Sequence, residues 1–230
     1  MAQVFVDDPA APELDDEDAH HLLRVLRLRP GEIVIASDGR GSSARCRFTG
    51  AGALLEPEGA PEYVERPAPA LTVAFAPVKG DRPEWVVQKL TELGVDRIMP
   101  ITTERSVVRW PRERGARAAD RLRKVAREAA AQSRRAWLPE VGVPRPLSAL
   151  VAEADEQVAL AEHDGGPPTL RCPSVAVGPE GGWSEAERSL GLPAVRLGDA
   201  TLRAETAAVA AGVVLSALRA GLVGAAGTAR

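Results

Sequence analysis

Three glycines and one carboxylate separate an apolar run from a helix start in the segment VAVGPEGGWSEAER, residues 175–188. Glycine allows the main chain to approach a ligand closely and to point its N–H groups at it. Ligands of open α/β sheets bind beyond the carboxyl ends of the strands, and the GPEGG loop, residues 178–182, follows a predicted strand. The loop suits main-chain recognition of a small ligand. A tight turn between a strand and a helix is the alternative that this loop alone leaves open.

A second loop of similar design follows at VRLGDATLRAETAAV, residues 195–209. It also leaves a predicted strand, passes a glycine and enters a helix, and it carries Arg203 and Glu205 beside the turn. Two such loops at two strand ends are able to close on one small ligand. Glu205 has a second interpretation, because an acidic residue at a helix start interacts favourably with the helix dipole.

Familiar nucleotide and metal motifs are missing from the sequence. No G-K-[ST] follows the GPEGG loop, and the segment APVKGDRPEW, residues 76–85, has a single glycine, so neither a P-loop nor a dinucleotide site is indicated. Cys46 and Cys172 stand far apart, and the three histidines have no ligand spacing. We therefore expect no metal site and no disulfide.

Basic charge is concentrated in two blocks of a chain whose net charge is −3. Residues 1–19 carry seven acids and no base, residues 20–49 carry six arginines against two acids, and residues 104–135 carry eleven bases against four acids. Concentrated positive charge favours phosphate contacts. The alternative is that these arginines solvate a helix face and a domain rim.

Local sequence patterns predict the strands and helices that position these residues. Strands are predicted at 32–38 and 44–50 and a short helix at 20–28, which together indicate a small β-barrel before the proline-bearing connector 65–70. Strands and helices then alternate, which predicts an α/β domain with a mostly parallel sheet. Its predicted strands are 71–77, 96–102, 157–163, 174–180 and 194–198, and its predicted helices are 81–94, 113–133 and 204–222, with a capping box at Ser184 and Glu187.

Neither a secretory leader nor a membrane span is predicted. The first residues lack a positive segment followed by an apolar one. The longest apolar run, 207–218, has 12 residues, against the roughly 20 that a spanning helix needs. We expect the protein to be cytoplasmic.

Several motifs taken together resemble one known family over essentially the whole chain. They are HHLLRVLR (20–27), GEIVIASDGRG (31–41), ELGV (92–95), TERS (103–106), EAAAQSRRAWLP (128–139), GPEGG (178–182) and LGDATLRAETA (197–207). The set is similar to the RsmE family of 16S ribosomal RNA uridine-N3 methyltransferases, which use S-adenosyl-L-methionine. The resemblance implies a PUA-like, RNA-binding β-barrel over residues 1–67. It also implies a SPOUT-class α/β domain with a trefoil-knotted cofactor site over 68–230, and a homodimer that acts on 16S ribosomal RNA.

The resemblance also implies site residues. The cofactor would contact Leu160, Glu162, Gly178, Pro179, Glu180, Gly181, Leu197, Gly198, Leu202, Arg203 and Thr206. Arg203 is the candidate for steadying charge during methylation of a uridine in the decoding region, with Glu180 or Glu205 as a proton acceptor. RNA would contact His20, Arg24, Arg27, Arg40, Arg121, Arg134 and Arg135. Thr201 and Trp183 depart from the residues usual in the family, and both departures concern local packing.

Two other function classes compete with this interpretation. A non-catalytic RNA-binding or ribosome-assembly protein would keep the fold, but the intact GPEGG loop argues against loss of the cofactor site. A phosphate-binding hydrolase would use GPEGG as an anion loop. The absence of a P-loop lysine and of a metal-ligand cluster in the sequence weakens that interpretation.

Overall fold

In a computed structural model of the chain, residues 1–50, 54–108, 110, 112–154 and 157–224 are described. The chain divides into two compact units. The first comprises Met1–Arg66 with Arg127–Leu138, and the second comprises Pro67–Ala126 with Pro139–Arg230. The domain boundary predicted at 67/68 remains a prediction.

The first unit is built on a five-stranded sheet. Its strands run in the order β1-β2-β3-β4, with β5 also paired to β3, and only the β1–β2 pairing is parallel. The strands predicted at 32–38 and 44–50 are confirmed as β2 and β3. The strands are β1 (Ala2–Phe5), β2 (Ile33–Ser37), β3 (Ser42–Phe48), β4 (Leu55–Pro57) and β5 (Glu62–Tyr63).

The helix predicted at 20–28 has different bounds and a different form. Helix α1 covers Asp16–His20 and continues as a π-helical segment, His21–Val25. It begins earlier because the side chain of Asp15 accepts a hydrogen bond from the Asp18 backbone N–H at 2.7 Å, which satisfies the first turn. It ends before Arg27, whose φ of 52° is left-handed and incompatible with a continuing helix.

The second unit contains a seven-stranded parallel sheet in the order β12-β10-β11-β6-β7-β8, with β9 also paired to β7. A parallel sheet brings the carboxyl ends of all its strands to one edge, and ligand sites belong there. The strands are β6 (Thr72–Phe75), β7 (Arg97–Thr102), β8 (Glu140–Val141), β9 (Arg145–Pro146), β10 (Val158–Gly166), β11 (Ser174–Val177) and β12 (Ala194–Val195).

Both faces of this sheet are covered by helices. Successive strand residues point to opposite faces, so they belong to two different hydrophobic cores. On one face Val73, Val175 and Val177 join the core with residues of α2, α3 and α6. On the other face Ala74 and Ala176 pack with Trp183 and with residues of α4. The helices are α2 (Arg82–Glu92), α3 (Arg112–Gln132), α4 (Leu147–Glu153), α5 (Glu185–Arg188) and α6 (Ala204–Arg219).

The path of the chain through the last strands sets the geometry of the predicted cofactor site. After β11 the chain forms α5, crosses to pair β12 with β10, and returns as α6. Helix α6 packs on β6, β11 and α2. Gly212 makes that packing close, since a Cβ there would stand 2.5 Å from Leu90 Cδ2.

Candidate functional site

The GPEGG loop is held between β11 and α5 by its own hydrogen bonds. The Gly182 N–H donates to the Pro179 carbonyl at 2.8 Å, and Gly182 has a left-handed φ of 67°. The predicted capping box is confirmed. The Glu187 N–H donates to Ser184 Oγ at 3.2 Å, and the Ser184 N–H donates to Glu187 Oε2 at 2.8 Å. The loop is therefore fixed at both ends before any ligand binds.

Trp183 explains why Gly178 must be small. A Cβ on Gly178 would stand 3.0 Å from Trp183 Cε2. Trp183 is buried, and its Nε1 donates to the Ala161 carbonyl of β10 at 3.2 Å. The tryptophan that departs from the family pattern thus fixes the loop against the neighbouring strand. The sequence interpretation gave Gly178 a ligand contact, and the neighbour that the structure supplies is this indole.

Loop 103–106, the segment after β7, packs directly on the GPEGG loop. Arg105 Nη1 donates to the Gly181 carbonyl at 3.0 Å, and the Glu104 N–H donates to Glu187 Oε1 at 3.0 Å. A Cβ on Gly181 would stand 3.2 Å from Arg105 Cβ. In the sequence this segment is one of the motifs that resemble the RsmE family, but the sequence did not predict a function for these residues. No local pattern indicates a contact between residues 76 positions apart.

The second loop runs from β12 to α6. Leu197 is half-buried against the core, while Gly198 is exposed, and a Cβ there would meet no atom within 4 Å. Arg203 is the N-cap residue of α6 and has an exposed side chain, and Thr206 is exposed too. This loop leaves open space beside its main chain, in contrast to the tightly packed Gly178.

Two carboxylates near these loops each carry a buried oxygen without a hydrogen-bond partner among the described residues. Glu205, in the first turn of α6, pairs through Oε1 with Arg82 at 3.2 Å, and its Oε2 lacks a partner. Glu162, on β10, accepts from Arg188 Nη1 through Oε2 at 2.7 Å, and its Oε1 lacks a partner. Buried polar atoms are nearly always satisfied, so these two oxygens call for a donor from outside the chain.

The predicted cofactor residues gather at one edge of the sheet. Strand β10 lies between β11 and β12, so residues at or beyond their carboxyl ends emerge side by side. Leu160 is buried within β10, Pro179 is buried, Leu202 is half-buried and Glu180 is exposed.

Most of the predicted RNA-binding residues lie in the first unit, where the two basic blocks meet. His20, Arg24, Arg27, Arg40 and Arg134 are exposed, and Arg135 is half-buried. Arg40 forms an antiparallel bridge with Trp137, and the Leu138 N–H donates to the Gly39 carbonyl at 2.9 Å. The turn between β2 and β3 is thereby joined to the segment that follows α3.

Arg121 stands apart from the other predicted RNA contacts. It belongs to the second unit, and its Nη2 lies 2.6 Å from Glu84 Oε1. Its charge is therefore partly matched within the chain.

An aromatic group in the first unit was not predicted from the sequence. Trp137 packs edge-on to Tyr63 with ring centroids 6.2 Å apart, and the Arg66 guanidinium lies 5.3 Å from the Trp137 ring centroid. Because Trp137 is bridged to Arg40, a ring and an arginine stand together at this surface. Aromatic rings beside basic side chains suit unpaired nucleic acid.

Two families match the chain. An RNA methyltransferase domain matches residues 65–216, and an RNA methyltransferase PUA domain matches residues 14–54. The ribosomal RNA small subunit methyltransferase E of Mycobacterium tuberculosis (strain CDC 1551 / Oshkosh) is 35% identical over 226 residues, which cover 89% of this chain and 86% of that protein. The same enzyme of Synechocystis (strain PCC 6803) is 33% identical, over 91% of this chain and 74% of that protein.

The chain belongs to the RsmE family. The resemblance inferred from the motifs is thereby confirmed. The match also spans both halves of the sequence, because the PUA and methyltransferase families fall on successive segments.

Two solved structures with bound S-adenosyl methionine share this fold. The methyltransferase E of Neisseria gonorrhoeae bound to S-adenosyl methionine has a TM-score of 0.79 at 29% identity, covering 95% of this chain and 98% of that one. A methyltransferase from Legionella pneumophila in complex with S-adenosyl methionine has a TM-score of 0.77 at 30% identity, covering 94% and 97%. The fold class predicted from the sequence, a SPOUT-type α/β domain with an N-terminal PUA-like domain, is confirmed.

Two further properties of the chain concern metals and membranes. Within the described ranges, no cluster of three or more His, Cys, Asp or Glu residues has the arrangement of a metal site. No helix within those ranges combines the length and apolarity needed to cross a membrane.

Proposed function

We propose that this protein transfers a methyl group from S-adenosyl-L-methionine to N3 of a uridine in the decoding region of 16S ribosomal RNA. The observation that carries the proposal is the pair of loops at the carboxyl edge of β10, β11 and β12, in a chain of the RsmE family. Relatives bearing the name ribosomal RNA small subunit methyltransferase E, and two relatives solved with the cofactor, support it.

The residues present fit the cofactor. S-adenosyl-L-methionine carries an ammonium group, an amino group and two ribose hydroxyls, all of which donate hydrogen bonds. The buried oxygens of Glu162 and Glu205 are acceptors without a described partner, and the space beside Gly198 is open. In our proposal these residues hold the cofactor, with Leu160, Leu197 and Leu202 as apolar wall and the main chain of 178–181 as polar wall.

The cofactor, when bound, supplies a methyl group activated on a sulfonium sulfur. Uridine N3 carries a proton between two carbonyls, so that proton must leave and the resulting negative charge must be stabilised over N3, O2 and O4. Arg203 is exposed at the start of α6, beside the loop, and we assign it to that charge. The reaction removes the sulfonium charge, so negative charge beside the sulfur would stabilise the ground state; the main chain of 178–181 and the three leucines would supply neutral walls that avoid this.

The two candidate proton acceptors differ in their surroundings. Glu180 is exposed on the GPEGG loop, whereas Glu205 is tied to Arg82 and mostly buried. We assign proton removal to Glu180, because its carboxylate is exposed to solvent and accessible to an incoming uridine. We assign cofactor binding to Glu205. Under this assignment Glu180→Gln lowers kcat with little change in cofactor affinity, and Glu205→Gln raises the cofactor Kd.

The RNA substrate is held, in this proposal, by the basic residues of the first unit and by Arg121. Ribosomal RNA in the cytoplasm is the implied partner. Phosphate contacts from arginine supply affinity, and the rings of Trp137 and Tyr63 offer stacking surfaces beside them.

We also propose a homodimer. The sequence of α6 is apolar nearly all round, and a helix of that kind is expected to be buried. In the single chain Ala208, Ala211 and Leu215 are buried, but Val213 is 44% exposed and Val209 is half-buried. A second copy covering this side of α6 would complete the burial.

A non-catalytic RNA-binding protein on the same fold is the competing function. Calorimetric titration with S-adenosyl-L-methionine distinguishes them, and a separate titration with ATP tests the phosphate-binding hydrolase. The proposal expects saturable binding of the first and none of the second, followed by methyl transfer to 16S ribosomal RNA in small subunits. Failure of S-adenosyl-L-methionine to bind would favour the non-catalytic protein.

A further inference from the structure

A cavity of about 670 Å³ lies at the carboxyl edge of the second unit's sheet. Its walls come from the end of β7, the junction of β9 with α4, and α5 with the residues just after it. The volume falls within the roughly 300–1,000 Å³ of small-ligand pockets. Among its described lining residues there is none of those predicted to bind the cofactor. The cavity is therefore a separate feature from the proposed methyl-donor site.

The lining of the cavity combines an indole ring and aliphatic side chains with hydrogen-bond acceptors. Trp110, Leu147 and Leu190 provide the apolar part, and Ser148 and Glu104 stand among the polar residues. The described lining includes two carboxylates and no basic side chain. Such a lining suits a neutral, planar group that bears N–H donors. A nucleobase has that chemistry.

The cavity is built in advance of any ligand. Both carboxylate oxygens of Glu187 accept backbone N–H groups, from Glu104 at 3.0 Å and from Ser184 at 2.8 Å. Beyond the end of β7, Thr103 Oγ1 and Ser106 Oγ lie 2.7 Å apart, and both residues are buried. A preformed wall spares the ordering cost that otherwise weakens binding.

The cavity is also tied directly to the GPEGG loop. Loop 103–106 lines the cavity on one side, and its Arg105 donates to the Gly181 carbonyl at 3.0 Å on the other. The same Glu187 that lines the cavity closes the capping box that ends the GPEGG loop. A ligand in the cavity would therefore contact a segment that is hydrogen-bonded to the GPEGG loop.

We propose that this cavity binds an unpaired nucleobase of the substrate RNA that neighbours the methylated nucleotide. The base stacks on the indole of Trp110 and donates its N–H groups to acceptors at the rim such as the Ser148 hydroxyl. The inference rests on the proposed function, since it takes RNA as the substrate. It adds a contact that reads a base, where the arginines of the first unit contact only phosphates.

Two pairs of variants test the cavity. Ala186→Phe fills it from an exposed position of α5, and Ala186→Ser is the matched control that leaves it open. Trp110→Ala removes the stacking ring, and Trp110→Phe keeps one. The probes are a labelled single-stranded RNA of mixed sequence and an abasic strand of equal length, each titrated at several salt concentrations. Binding of S-adenosyl-L-methionine to every variant checks that the second unit is folded.

We expect Ala186→Phe and Trp110→Ala to weaken binding of the base-containing RNA about tenfold. The two control variants, Ala186→Ser and Trp110→Phe, should bind the base-containing RNA with an affinity within about twofold of the native chain's. Affinity for the abasic strand, affinity for the cofactor and the slope of log affinity against log salt should not change, because every arginine that neutralises a phosphate is retained.

Three results would overturn the inference. The first is that Ala186→Phe binds the base-containing RNA with native affinity. The second is that the variants lose as much affinity for the abasic strand as for the base-containing RNA. The third is that the variants lose affinity for the cofactor alone. The last would place the cofactor itself in the cavity. The proposed function is judged separately, by whether the native chain methylates small-subunit RNA at all.

Discussion

Arg40 and Trp137 are joined by an antiparallel bridge, although they are nearly a hundred positions apart in the sequence. Two hydrogen bonds form the bridge: Gly41 N–H donates to the Ala136 carbonyl at 3.0 Å, and Leu138 N–H donates to the Gly39 carbonyl at 2.9 Å. It places a β2–β3 turn arginine in the same unit as Arg134 and Arg135. The two basic blocks of the sequence therefore contribute to one compact unit.

The first prediction concerns salt dependence. Arg24→Ala, Arg40→Ala and Arg134→Ala should each weaken RNA binding and lower the slope of log affinity against log salt by roughly 0.7 to 0.9 for each phosphate that the arginine neutralises. Cofactor affinity should stay constant. Arg97→Ala is the control, because Arg97 begins β7 at the opposite edge of the sheet and faces Glu140. Unchanged slopes in all three variants would show that the RNA lies elsewhere.

The second prediction separates stability from function at Arg134. Helix α3 ends in a Schellman motif, with Arg135 N–H bonded to the Ala130 carbonyl at 2.9 Å and Arg134 N–H to the Ala131 carbonyl at 3.3 Å. Arg134 holds the left-handed position, with φ 56°, where glycine is favoured. Arg134→Gly should raise the free energy of unfolding by about 0.5–1 kcal/mol and still weaken RNA binding.

Arg134→Ala is the control for that prediction, since it removes the guanidinium but keeps the Cβ that disfavours a left-handed backbone. It should match Arg134→Gly in RNA affinity without the gain in stability. Chemical denaturation measures the difference. If the glycine variant is the less stable of the two, the strain assigned to this position is absent.

The third prediction tests the second loop. Gly198→Val should raise the Kd for S-adenosyl-L-methionine by at least about tenfold, because the branched side chain occupies the open space that we assign to the cofactor. The fold should tolerate it, since a Cβ at 198 meets nothing within 4 Å. Gly59→Val is a matched control: its Cβ is equally unobstructed, but it lies in the first unit. Native cofactor affinity in a folded Gly198→Val variant would remove this loop from the site.

The fourth prediction concerns assembly. The native chain should have the mass of a dimer in solution at micromolar concentration, and Val213→Glu should shift it towards monomer by placing a charge on the exposed side of α6. Leu54→Glu, at a residue that is 64% exposed in the first unit, should leave the mass unchanged. A monomeric native chain in sedimentation equilibrium would contradict the dimer.

Local sequence patterns predicted several elements correctly. The strands predicted at 32–38 and 44–50 are β2 and β3, and the capping box at Ser184 and Glu187 marks the start of α5. The two-residue strands β8 and β9 are too short to show a period, so they were not predicted. The acidic first turn of α1 was missed because its charges were interpreted only as composition.

Contacts between distant segments could not be predicted from local patterns. The bond from Arg105 to Gly181 and the packing of Trp183 on Gly178 depend on which strands neighbour one another in the sheet. The resemblance to the RsmE family implied that Gly178 and Gly181 contact the cofactor. In the structure, the atoms that approach them are a tryptophan ring and an arginine side chain.

The most direct test of the central claim is mass spectrometry of 16S ribosomal RNA from a strain that lacks this chain. We predict that one uridine of the decoding region lacks its methyl group at N3 in that strain, and that the native chain restores it. Restoration should fail with Gly198→Val and succeed with Gly59→Val. Fully methylated RNA in the deletion strain, or restoration of a methyl group on a different atom or nucleotide, would contradict the account.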